Sequence, residues 1–142
     1  MAEEAPLPAD FAVDSTPDCP EVIRMQRALA RMISGEGAAE FLAGDFLPTF
    51  QRELPRRLGE LKRHIAARAA AGVQHEAHTI KGMLRDMGEQ EASAIAYKLE
   101  VRAERKELDE TATIFAELER MAQRVLGHVR AVQAKLLAQR SH

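Results

Sequence analysis

Of the five histidines in this 142-residue chain, one stands in a run whose residue types suit phosphate chemistry: His78-Thr79-Ile80-Lys81-Gly82. At neutral pH an exposed imidazole is largely uncharged and nucleophilic. A lysine three residues later on a helix can face an anion carried by that ring. A glycine one turn after the histidine is an expensive choice, costing about 1 kcal/mol relative to alanine in a helix interior. Its presence argues that something must approach closely there. His75 lies three residues before His78, but two imidazoles without a nearby thiolate or carboxylate make a poor zinc or iron site. No metal site is expected, and His75 reads as solvated surface or a minor part of a docking face. His64, His128 and His142 look ordinary.

Other catalytic patterns are missing from the sequence: there is no Gly-rich phosphate loop, no Cys pair, no HExxH and no paired ExxH. No acid, base or metal cluster is evident in the sequence beside His78. The chemistry therefore rests on one nucleophile, and its worth depends on the element that carries it.

Residues 73–87 read as a helix with Val73, Ala77, Ile80, Leu84 and Met87 on one seam. At about 100° per residue, His78 projects roughly 140° from that seam, toward solvent, with Gly82 and Arg85 within about 40° of it and Lys81 about 60° to one side. Gly88 follows, where a left-handed cap would place glycine.

Before this helix, Leu42, Phe46, Phe50, Leu54, Leu58, Leu61 and Ile65 keep one apolar stripe through Pro48 and Pro55. The unbroken phase favours one helix of about 38–70, bent at the prolines and closed by Ala70-Ala71-Gly72, with a break near Pro55 as the alternative. A shorter helix spans Glu21–Ile33. After Gly88, a helix with Glu89 and Glu91 in its first turn runs to about Lys106, with Ala92, Ile95, Leu99 and Ala103 inward. Asp109 or Thr111 can cap a last helix bearing Ile114, Leu118, Met121, Val125, Val129, Val132 and Leu136. Short connections between long helices imply antiparallel neighbours. The expected fold is all-α: an up-down antiparallel four-helix bundle with an additional N-terminal helix, over residues 21–142.

Composition agrees with this. Apolar residues make up 46% and aromatics 4%, which favours helices over a β-sandwich or barrel. The net charge of −2 gives no field suited to nucleic acid. Residues 1–20 hold Pro6, Pro8, Pro17 and Pro20 and five acids without Lys or Arg, the composition of an extended or disordered acidic leader. One cysteine, Cys19, fits a reducing compartment. No signal peptide or membrane-spanning run is evident, so the expected location is cytoplasmic. The basic run Arg52, Arg56, Arg57, Lys62, Arg63 and Arg68 has two readings, a surface that steers an acidic partner or an ordinary solvated helix face.

The run from His78 to Gly82, with Gly88 ten residues after the histidine, resembles the H-T-[LI]-K-G-x5-G signature of histidine-phosphotransfer (HPt) domains of bacterial two-component phosphorelays. The FLxxFxxxLPxRLxxL run within Phe41 to Leu61 also looks like that family's second helix. The resemblance covers about residues 38–138. It implies that His78 accepts a phosphoryl group from a receiver aspartate and passes it to another. It further implies that Lys81 stabilises the phosphate and Gly82 admits the partner, with His75, Met83 and Arg85 in the docking face. Expected partners are response-regulator receiver domains and a sensor histidine kinase, hybrid kinases included, with neither nucleic acid nor membrane. No cofactor of its own is implied, since receivers bring the Mg²⁺. A freestanding monomeric phosphocarrier is expected, rather than an independent enzyme. The alternative is a non-phosphorylated helical adaptor that sequesters a receiver. Met83 and Leu84 replace residues that are often small in the family, and Asp86 replaces a frequent Asn. Leu84 lies on the seam and changes packing only, whereas Met83 and Arg85 bear on which receiver docks.

Overall fold

The computed structural model describes residues 19–140, the side chain of Arg140 excepted. The acidic leader expected over 1–20 lies outside them except for its last two residues. All regular elements among the described residues are helical.

Helix α1 (Pro20–Met32) starts with proline in its first turn, where the missing N–H costs nothing, and buries Val22, Met25, Ala28 and Leu29. Helix α2 is continuous in three stretches: Ala38–Phe41, a wide π-type turn over Leu42–Phe46, and Leu47–Ala66. It passes both prolines, so Pro55 does not break it. The wide turn lies just before Pro48, where the amide of Leu47 reaches back to the carbonyl of Leu42. Pro48 has no N–H to offer the preceding turn. The side-chain amide of Gln133, on the last helix, donates to the Ala43 carbonyl instead at 2.9 Å.

Helix α3 (Ala70–Asp86) begins three residues earlier than the sequence suggests, and α2 ends four residues sooner. Ala70-Ala71-Gly72 open α3 rather than closing α2. The turn between them is made by Arg68, left-handed at φ 53°, with the amide of Arg68 bonded to Ile65 and that of Ala69 to His64. This is the double bond pattern usually capped by glycine, here supplied by arginine. The corner after α3 has the same pattern with Gly88 at φ 77°: its amide bonds the carbonyl of Arg85, and that of Glu89 bonds Leu84. Helices α4 (Gln90–Glu104) and α5 (Thr111–Arg140) complete the chain. Neither proposed cap of α5 bonds a helix amide with its side chain: Asp109 accepts from Arg68, and the Thr111 hydroxyl donates to the Leu108 carbonyl.

Helices α2, α3, α4 and α5 pack each on the next, and α5 returns to α2. Helix α1 lies on α5 and touches α3, the additional helix of the expected bundle. The seam Val73, Ala77, Ile80, Leu84 and Met87 is fully buried, joined by Leu54, Leu61, Leu99 and Leu118. On α5 the buried set includes Phe115, Ala122 and Leu126, while Met121 and Leu136 are only half-buried. Of the described helices, none is long and apolar enough to cross a membrane.

Candidate functional site

Helix α3 presents His78 outward, its side chain 65% exposed, opposite the buried seam. The neighbouring turns are fixed by burial rather than by local propensity. Glu76, on the α2 side, is buried and takes an ion pair from Arg57 at 3.1 Å. Ser93 of α4 donates from its buried hydroxyl to the Lys81 carbonyl at 3.1 Å. These contacts hold α3 in register between its two neighbours.

A carboxylate stands beside the histidine, contrary to the expectation that no acid lies there. Glu100 of α4 places Oε2 2.8 Å from His78 Nδ1 and Oε1 2.8 Å from Lys81 Nζ. Lys81 meets Oε1 as an ion pair rather than as an aligned hydrogen bond. Burial pushes the Glu100 carboxyl up. The pairing with Lys81 and the hydrogen bond with His78 outweigh it and hold the group below the usual carboxylate range. Glu100 is therefore ionised at neutral pH and can only accept. The proton shared with His78 belongs to Nδ1, which leaves the lone pair on Nε2.

Lys81 is not the free surface cation its position suggests. Its side chain is 18% exposed, paired with Glu100 and lying over the Tyr97 ring at 5.0 Å from the centroid. Tyr97 itself is half exposed. His78 and Lys81 are thus joined through Glu100, and the sequence reading missed both Glu100 and Tyr97. A signal was present. Glu89 sits at the α3–α4 corner, and reflecting the hairpin through it pairs residue 78 with 100 and 81 with 97.

The other expected residues surround this group. Gly82 is free of internal packing, because a β-carbon there would meet only the Arg85 guanidinium, 3.8 Å away. The fold has no need of glycine at 82. Arg85 and His75 are exposed, and His75 shares a shallow hollow with His78, Gln74 and Glu100. Met83 is half-buried against the core, so only part of it faces outward. The arginines of α2 and of the turn after it are largely engaged with acids of this chain: Arg56 with Glu53, Arg57 with Glu76 and Glu53, Arg63 with Glu60, and Arg68 with Asp109.

The sequence model of the Hpt domain matches residues 45–128, from the wide turn of α2 to the middle of α5. No curated protein matches the sequence. Among solved structures, the chain is similar to histidine-containing phosphotransfer protein B from Pseudomonas aeruginosa PAO1. Identity is 22% and the TM-score 0.55, with 87% of this chain and 93% of that one covered, a likeness of fold. Because the family match spans more than half of the chain and takes in all of α3 and α4, the protein belongs to the Hpt domain family, whose members carry out histidine phosphotransfer in phosphorelays with response-regulator receiver domains as partners.

Proposed function

We propose that His78 is the phosphorylated residue. The observation that carries this reading is its pairing with Glu100: an exposed ring whose Nδ1 is held by an ionised carboxylate offers Nε2 outward as the nucleophile. The Nε2 lone pair attacks the phosphorus of a receiver's aspartyl phosphate. The N–P bond forms as the P–O bond to aspartate breaks, and the aspartate carboxylate leaves with that electron pair. Nδ1 keeps its proton throughout, and Glu100 offsets the positive charge the ring gains. Transfer onward reverses these steps on a second receiver.

Lys81 balances Glu100 in the resting protein and supplies a cation near the new phosphate, whose charge is about −2. Gly82 leaves room for the partner's loops, and His75, Arg85 and the outward part of Met83 contact them. The receiver brings the Mg²⁺ and most of the catalysis, and a sensor histidine kinase feeds the relay. The carrier works as a monomer in the cytoplasm.

Incubation with a phosphorylated receiver is expected to label the protein with an acid-labile, alkali-stable phosphate. His78→Gln should abolish the label and leave the helical circular dichroism spectrum unchanged. Equal labelling of both proteins would refute the assignment.

A further inference from the structure

A second cluster of chemically active side chains lies at the other end of the α3–α4 hairpin. Cys19, just before α1, Glu21 in its first turn and His128 on α5 bring a thiol sulfur, a carboxylate oxygen and a ring nitrogen within 4.8 Å of one another. All three are half-buried. The Cys19 thiol donates to Glu21 Oε1 at 3.3 Å. From the α3–α4 corner, Glu89 adds a fourth group: Oε2 lies 3.3 Å from His128 Nδ1.

Glu89 supports the histidine of this cluster. It occupies the position before α4 where an acid would ordinarily cap the helix, yet its side chain bonds no helix amide. It is 8% exposed and turned toward His128 in the hollow that Glu21 also lines. Its contact with Nδ1 fixes the ring, the arrangement by which a carboxylate supports a metal-ligating histidine. Arg24 and Arg124 also border the hollow, but Glu21, Glu89 and Glu91 outnumber them.

We infer that Cys19, Glu21 and His128 form a binding site for a borderline divalent transition metal of the zinc class, with Glu89 orienting the His128 ring. One sulfur, one nitrogen and one carboxylate oxygen, with water completing the tetrahedron, suit Zn²⁺ or Co²⁺, and a thiolate–imidazole pair disfavours Mg²⁺ and Ca²⁺. The three donor atoms already lie within 4.8 Å of one another, and an ion between them would take ligand distances of about 2.0–2.3 Å. Binding releases the Cys19 thiol proton to solvent as the sulfur–metal bond forms. The ion ties the entry to α1 onto α5, and through His128 the contact with Glu89 joins it to the corner from which α3 and α4 diverge. That corner sets the register joining His78 to Glu100, about 16 Å further along the hairpin.

The test is a Co²⁺ titration of the full chain, kept reduced with a non-thiol reductant, followed by Zn²⁺ displacement. The expected result is one Co²⁺ per chain, with the near-ultraviolet sulfur-to-cobalt band and the intense visible bands of tetrahedral cobalt, both erased by Zn²⁺. Cys19→Ser should lose the sulfur band and weaken binding by about 100-fold or more, and His128→Gln and Glu89→Gln should weaken it by at least about tenfold. His75→Gln and His78→Gln should bind as the wild type does. Absence of the sulfur band, or undiminished affinity in Cys19→Ser, overturns the site. Loss of binding in His75→Gln or His78→Gln instead moves the ion to the outer face of α3 and overturns it equally.

Discussion

Glu100 reaches across from α4 to take the Nδ1 proton side of His78 at 2.8 Å while its other oxygen meets Lys81. The proposed nucleophile, its orienting acid and the balancing cation thus form one unit carried by two helices. Replacing Glu100 by Gln removes the negative charge and frees the ring to take either tautomer. Phosphotransfer to and from His78 should slow by about tenfold or more, measured in rapid-quench assays with a phosphorylated receiver. Unchanged rates would show that the ring needs no orientation.

The same carboxyl gives an acid-side signature. Its folded pKa lies below the ordinary 4.5, so the stability it contributes is complete above 4.5 and is lost as pH falls through the lowered folded value. Urea midpoints of wild type and Glu100→Gln, followed from neutral pH down past 4.5, should converge only in that acid window. A constant gap across the window would contradict the assignment.

Gly82 separates folding from docking. A methyl group there has room, so Gly82→Ala should raise stability by about 1 kcal/mol in urea denaturation. Gly82→Leu should keep the fold and impede transfer, because its bulk occupies the approach to His78. Full transfer by the leucine variant would mean that the partner does not pass over this turn.

Gly88 and Arg68 occupy equivalent left-handed positions with opposite expectations. At Gly88, φ is 77° and an added β-carbon would stand 3.0 Å from that of Ala28, so Gly88→Ala should cost about 1–3 kcal/mol. Arg68 tolerates φ 53°, and Arg68→Gly should gain up to about 1 kcal/mol despite loss of an exposed ion pair with Asp109. Thermal denaturation of both variants tests the sign of each.

Arg57 illustrates how the basic face of α2 serves the fold. Arg57→Met leaves Glu76 buried without its partner and should destabilise by about 1–3 kcal/mol. Adding Glu76→Met should recover most of that loss. An additive double variant would show that the two side chains do not depend on each other.

Much of this was legible in residue order, for physical reasons. The α3 seam has five positions at helical spacing, and all five are buried because a bundle helix has one direction in which to hide them. The stripe of α2 survived two prolines because its phase is set by packing against α3 and α5, not by its own backbone bonds. The end of α2 was misread because its left-handed cap is Arg68, and only a glycine advertises that conformation. Glu100 and Tyr97 escaped because they belong to the site through hairpin register. Neither residue type marks the helix opposite, and only counting back through the Glu89 corner pairs them with His78 and Lys81.

The contact between Lys81 and Tyr97 has a practical side. The chain holds one tyrosine and no tryptophan, so its emission comes from a ring 5.0 Å from the ammonium of Lys81, one turn from His78. Without labelling or added probe, that intrinsic fluorescence is a built-in gauge of any event that pulls Lys81 away from the ring, and stopped-flow detection can time the arrival of a phosphoryl group or a partner in the unmodified protein.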